Sequence, residues 1–327
     1  MAELSNASRP PWQEAVRGDY LSMEMLGLSG FEQLHSGLSG HRARPPLGHL
    51  TGLRLAEVST AAVAVEMPLS GWLRGPSGGI SLGALAMPTD IALGGAVSTT
   101  LPPATIMATS ELSLRLLAPP EPGGAMVARG RLVHAHGSVG LSEAAVTDAH
   151  GRLLAHGTSL CFIPPPFSPV PEPPAALAPF EPPAHSTPDP WDRDPAGDVP
   201  GPPVGHLTGL RVVAAAGGGA SVELPTSPWL SVQRGVVNGG VIALLVDTAM
   251  AVAVESAVAP GTAVRVVDLK VNYLRPLAAD GREATARAAV AHAGRRRAIA
   301  DVEVTDADGK RVARATGTAM LGGASEG

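Results

Sequence analysis

H-L-T-G-L-R runs from His49 to Arg54, and the same six residues return from His206 to Arg211, an offset of 157 (206 less 49). The offset carries Trp72 onto Trp229, Gly83 onto Gly240, Asp90 onto Asp247, Glu111 onto Asp268 and Pro119 onto Pro276. One inserted residue then lengthens it to 158, so that His134 meets His292 and Asp148 meets Asp306. Solenoid repeats have periods of roughly 20–50 residues, so a period this long marks two copies of a whole domain. Two copies of one fold in a single chain can pack as a pseudo-twofold dimer. A site normally built across a dimer interface would then be built twice, from unequal halves.

The composition narrows the function classes. A chain of 327 residues suits two domains, each long enough to bury a core. The formal net charge of −5 argues against a nucleic-acid footprint, which is usually basic and clustered. A single cysteine, Cys161, rules out an internal disulfide framework and fits a reducing compartment. Met1 to Arg17 contains no apolar run of the secretory kind. The longest uncharged stretch, Ile91 to Ser110, carries Pro102, Pro103 and several threonines and does not read as a membrane span. The expectation is a cytoplasmic protein with neither nucleic acid nor membrane as partner. Aromatic residues make up only 3% of the chain, so the cores must be aliphatic.

Residues 164–203 hold 16 of the 32 prolines and almost no periodic apolar pattern, which reads as a semi-rigid linker. The expected organisation is an N-terminal helical extension over 1–45, a first domain over 46–163, the linker, a second domain over 204–321, and a tail over 322–327. The extension shows helical spacing within 13–36 at Met23, Leu26, Phe31 and Leu34. Each repeat reads as one strand (53–66 and 211–223), a Trp-bearing loop, a helix, then three or four strands. The run from Gly240 to Ala257 is too long for a strand and rich in Ala and Leu, so it predicts a helix. Being apolar nearly all round, that helix should be buried. Alternating segments over 264–274, 283–292 and 297–305 predict strands, and Asp306-Ala307-Asp308-Gly309 and Asp148-Ala149-His150-Gly151 close hairpins. One long buried helix wrapped by a curved antiparallel sheet is an α+β layout.

Asn238-Gly239-Gly240 followed by Asp247 is the sharpest constellation. Glycines entering a helix let a ligand approach the backbone, and the first-turn N–H groups have no intrahelical partners. With the helix dipole they suit a developing oxyanion. Asp247 is the one charge among the apolar residues that precede it on this helix, and a buried carboxylate is costly unless paired. It could simply satisfy Thr248 or nearby backbone groups. The second copy weighs against that, because Asp90 stands at the equivalent place in an equally apolar helix. Arg295, Arg296 and Arg297 follow a turn and read either as a solvated strand end or as a phosphate contact, for which guanidinium forks are suited. His49, His206, His134 and His292 lack metal-site spacing and read as structural, so no metal is expected. Trp72 and Trp229 read as core caps.

The Gly-Gly entry to L-V-D-T-A (Leu245 to Ala249), followed by V-D-L-K-V-N-Y-L-R-P (Val267 to Pro276), resembles the PaaI-type acyl-CoA thioesterases of the hotdog fold. The resemblance covers Gly205 to Leu321 specifically and Gly48 to Ile163 more loosely. It implies a tandem hotdog that hydrolyses an acyl-CoA thioester, with CoA as part of the substrate and no separate cofactor. Carried over residue by residue, Gly240 is the oxyanion donor and Asp247 the base or nucleophile. The chain departs from the family's His-Gly-Gly in having Asn238, and the first copy reads Ser81-Leu82-Gly83. Val266 stands where some members carry a polar residue. Asp247 is seven residues beyond Gly240, roughly 10 Å along a helix axis, too far for both to serve one thioester easily. Hotdog enzymes take the acid from the neighbouring protomer. The resemblance therefore implies that Asp90 faces the Asn238–Gly240 turn and Asp247 the Ser81–Gly83 turn, in an internal pseudo-dimer that leaves further homo-oligomerisation open. Two other readings stand beside it. A hotdog hydratase or dehydratase would need a histidine beside the helix carboxylate, and none occurs between Leu207 and Lys270. A non-catalytic acyl-CoA-binding or regulatory hotdog could discard the helix carboxylate, whereas this chain keeps both.

Overall fold

In a computed structural model of the protein, residues 9–181, 188–193 and 201–322 are described. Parts of the expected extension and linker, and nearly all of the tail, lie outside these residues.

Each copy opens with a one-and-a-half-turn helix, α2 (Pro46–Thr51) or α4 (Pro203–Thr208), that begins on proline and ends on a left-handed glycine, Gly52 or Gly209. A hairpin follows, β1 (Arg54–Ser59) with β2 (Ala62–Pro68), or β7 (Arg211–Ala216) with β8 (Gly219–Pro225). Then come the long helices α3 (Leu82–Ser98) and α5 (Gly239–Glu255). The strands β3 (Ala108–Leu116), β4 (Ala125–His136), β5 (Val139–Asp148) and β6 (Leu153–Phe162) complete the first copy. Their counterparts are β9 (Ala263–Tyr273), β10 (Glu283–Ala293), β11 (Arg297–Thr305) and β12 (Arg311–Gly322). Helix α1 (Gly30–Leu38) belongs to the extension.

Two expectations need correcting. The first strand of each repeat is in fact a hairpin. In the second copy Gly217 and Gly218 supply the positive φ that a tight turn needs, and in the first copy Ala61 adopts φ 65°. The extension is helical only from Gly30, where Ser29 and Glu32 form a reciprocal capping box. Before that it makes short 3-10 turns at Pro11–Gln13 and Glu24–Gly27.

All twelve strands form one antiparallel sheet, in the order β1-β2-β4-β5-β6-β3-β9-β12-β11-β10-β8-β7. The halves join where β3 pairs with β9. Ser113 lies opposite Lys270, its own repeat partner, while Glu111 opposite Asn272 is matched by Arg115 opposite Asp268. The pseudo-twofold axis therefore passes through the Ser113–Lys270 pair. On the sheet's concave side α3 and α5 run antiparallel and touch. A Cβ on Gly240 would lie 2.4 Å from the Ala86 carbonyl oxygen, and one on Gly83 would lie 2.6 Å from the Leu244 Cα. Both positions need glycine because the two backbones meet there. Every residue from Leu82 to Asp90 and from Gly240 to Met250 is buried, in an aliphatic core. The short helices cross between copies: the Leu47 N–H donates to the Ser231 carbonyl, and the Val204 N–H to that of Arg74. Trp72 stacks on His206 of the other copy, rings 5.9 Å apart and 7° from parallel.

Candidate active site

The antiparallel crossing brings the middle of each long helix to the N-terminus of the other. Asp90 of α3 thus lies against Asn238, Gly239 and Gly240 of the second copy. One carboxylate oxygen, Oδ1, accepts from the Thr109 hydroxyl at 3.1 Å. The other, Oδ2, accepts from the Asn238 side-chain amide at 3.0 Å and from the Gly240 N–H at 3.3 Å. Gly239 is needed for this approach, since a Cβ there would stand 2.9 Å from Oδ2. Thr109 is re-aimed by a bulge at Ser110, where two residues of β3 oppose one of β6. Burial pushes the Asp90 carboxyl above its ordinary value, and the surrounding donors hold it back only in part. Behind the turn, the Tyr273 hydroxyl donates to the Gly239 carbonyl at 2.8 Å. Burial, and then the charges of Asp90 and Glu111, push the pKa of that phenol well above normal and keep it protonated.

The pseudo-symmetric arrangement is poorer. Asp247 lies beside the Ser81 hydroxyl and the Gly83 N–H, and burial pushes it up to about 6 against their opposing effect. Its Oδ1 is buried with no hydrogen-bond partner among the described residues. The bulge recurs at Val267, so Val266 takes the place of Thr109 and offers no hydroxyl. Leu116 takes the place of Tyr273.

The sequence-predicted residues therefore gather into two groups across the halves, Asp90 with Asn238–Gly240 and Asp247 with Ser81–Gly83. The glycines have another reason than the one expected from sequence. Gly240 and Gly83 let the helix backbones meet, and the Gly240 N–H serves Asp90. Helix α3 begins at Leu82 after the cap Ser81. Arg295–Arg297 are exposed at the turn between β10 and β11 and stand apart from the Asn238–Gly240 turn. Arg297 pairs with Met320, and Met320 with Arg265, next to Val266. That row is about 26 Å along β9 from Tyr273, eight residues at about 3.3 Å each. It flanks the Asp247 end. Sequence reasoning missed Thr109 and the part played by Tyr273. The 157-residue offset carries the signal for both, because it sets Thr109 against Val266 and Leu116 against Tyr273. Cys161, opposite Thr109 in the sheet, is buried, and that burial pushes its thiol up to about 11, the reverse of an activated thiolate.

Two family profiles match in tandem. Residues 234–313 match the thioesterase superfamily, and residues 38–163 match the acyl-CoA thioesterase C-terminal domain. The chain belongs to the hotdog-fold thioesterase superfamily. It is therefore a thioester hydrolase. Among curated proteins no sequence matches it. Among solved structures it is similar to the tesB protein of Mycobacterium avium subsp. paratuberculosis, at 10% identity over 90% of this chain and 100% of that one, with a TM-score of 0.57. It is also similar to the acyl-CoA thioesterase II TesB2 of Mycobacterium marinum, at 12% identity over 86% and 98%, TM-score 0.54. At these identities the likeness is one of fold. A mutant of the phenylacetic acid degradation protein PaaI from Thermus thermophilus shares 32% identity over 36% of this thioesterase and 97% of its own length, TM-score 0.33. Among the described residues no helix is long and apolar enough to cross a membrane, and no three His, Cys, Asp or Glu gather as metal ligands.

Proposed function

We propose that the protein hydrolyses an acyl-CoA thioester at the site where Asp90 meets the Asn238–Gly240 turn, as a PaaI-type enzyme in a reducing, cytoplasmic setting. The observation that carries this reading is the ring of donors from both halves around one buried carboxylate. Asp90, as carboxylate, takes a proton from a water whose oxygen attacks the thioester carbonyl carbon. The carbonyl electron pair moves onto oxygen, at the N-terminus of α5, where the helix dipole favours negative charge. As Asp90 gains the proton it loses its charge and its hold on the Gly240 N–H, a long bond at 3.3 Å. That donor is then free to follow the charge to the oxyanion. Collapse breaks the C–S bond, and the proton on Asp90 passes to the departing CoA thiolate. The free acid and the CoA thiol leave, and Asp90 is again a carboxylate.

Asn238 replaces the family's histidine and fits this chemistry. Its amide donates to Asp90, while its Oδ1 is buried with no partner among the described residues and is available to accept from the attacking water. The partners of Asp90 are a threonine, an asparagine and a backbone amide, with no histidine of the kind a hydratase needs. No step calls for a metal or an organic cofactor. Asp247, with fewer donors and no threonine, is the lesser site. The test is release of free thiol from short, long and aromatic acyl-CoAs by the untreated and the chelator-treated protein. Turnover that survives chelation is expected. Turnover lost to chelator and restored by one metal, or tight acyl-CoA binding without turnover, would overturn the proposal.

A further inference from the structure

The geometry points to Tyr273 as a positioning residue of the Asp90 site, acting through the Gly239–Gly240 peptide rather than on substrate. This inference rests on the proposed function. The carbonyl that receives the Tyr273 hydroxyl, at 2.8 Å, belongs to Gly239, and the N–H on the far side of that same peptide bond belongs to Gly240. A peptide is planar, so fixing its carbonyl fixes the direction of its N–H. A hydrogen bond received at the oxygen also polarises the amide and strengthens the N–H as a donor. Tyr273 thus aims and sharpens the group offered to the oxyanion. The Gly239 carbonyl belongs to the first turn of α5, so the Tyr273 hydroxyl adds a second hydrogen bond to a carbonyl of the helix ladder, at the end where two glycines leave the backbone least restrained. The other half has no such device. Leu116 holds the equivalent position, so the Leu82–Gly83 peptide receives no hydroxyl from that strand. The difference is a second, independent mark of inequality between the two sites.

A positioned oxyanion donor stabilises the transition state more than the bound substrate, so the effect belongs in kcat. Tyr273→Phe is expected to lower kcat about 10-fold with little change in KM, less than the roughly 10²–10³-fold cost of deleting an oxyanion donor outright. A second measurement avoids reliance on that variant's folding. The chain has two tyrosines, Tyr20 and Tyr273. A Tyr20→Phe protein grown on fluorinated tyrosines therefore carries one fluorophenol, at position 273. Fluorination makes the hydroxyl a stronger donor, and burial keeps it protonated, so kcat should rise as the phenol becomes more acidic. A merely structural tyrosine would give no such trend. Asp90→Asn is assayed in parallel. If Asp90→Asn stays active, the proposed function itself fails. If Asp90→Asn is inactive while Tyr273→Phe and the fluorinated series keep the parent kcat, the role of Tyr273 is overturned and the proposed function stands.

Discussion

Asp90 and Asp247 are repeat partners with the same identity, in equally apolar helices, yet their surroundings prescribe different behaviour. Asp247 has an oxygen with no partner among the described residues, and burial pushes it up to about 6, against an ordinary 3.8. Between those two values the folded protein keeps a proton that the unfolded chain has released, so stability falls as pH rises through that window and stays lower above it. Asp247→Asn removes the buried charge. It should raise stability at pH 8 by up to about 3 kcal/mol, at roughly 1.4 kcal/mol per pKa unit, and change little near pH 4. Denaturant unfolding at the two pH values measures this, and an equal effect at both would contradict it. Asp90 is also raised, and in the proposed mechanism it acts as a base only when ionised. The turnover rate should therefore climb with pH through a midpoint above that of an ordinary carboxylate. Both aspartates were legible from sequence because a charge in the middle of an apolar helix stands out twice at one offset. Thr109 was not, since its value depends on a bulge that turns its hydroxyl toward Asp90. Only the comparison with Val266 could have exposed it.

The two long helices show why a glycine can be misread from sequence alone. Gly240 at a helix start suggests room for a ligand, whereas its missing Cβ makes room for the other helix. Gly240→Ala and Gly83→Ala should each destabilise the protein by about 1–3 kcal/mol or more, the usual cost of overpacking a close contact. Gly239→Ala is different, because the nearest atoms its Cβ would meet are those of the Asp90 carboxylate. It should lower activity more than stability. Thermal unfolding beside thiol release separates the two, and a Gly240→Ala protein of parent stability would contradict the crossing. Among the strands, the hairpin of the second copy was readable from Gly217-Gly218, but Thr60-Ala61 hid its counterpart, because a non-glycine at positive φ leaves no compositional mark. Arg295–Arg297 belong to the sheet end that flanks Asp247. If the Asp90 site dominates, neutralising all three should leave KM for acyl-CoA within about two-fold of the parent at low salt, where exposed charges matter most. A large rise in KM would mean that the Asp247 end carries the turnover.

Fusion of two hotdog copies in one chain frees each site to drift, as two identical subunits cannot. The sheet runs unbroken through the Ser113–Lys270 pair, the short helices dock on the opposite copies, and the contacts repeat at the same offset on both sides. The frame has thus stayed symmetric while the sites have not. The repeat and the two buried helices announced that frame from sequence. The single twelve-stranded sheet could not be read there, because strand pairing across the halves depends on register and not on composition. One comparison tests the unequal-sites account most directly: single-turnover thiol release by Asp90→Asn and Asp247→Asn on the acyl-CoA that the parent protein hydrolyses best. Loss of a general base costs about 10²–10⁴-fold in rate, so Asp90→Asn should fall by that much while Asp247→Asn stays within a few-fold of the parent. The reverse order, with Asp247→Asn inactive and Asp90→Asn near the parent rate, would contradict the assignment of the working site to Asp90 and the Asn238–Gly240 turn.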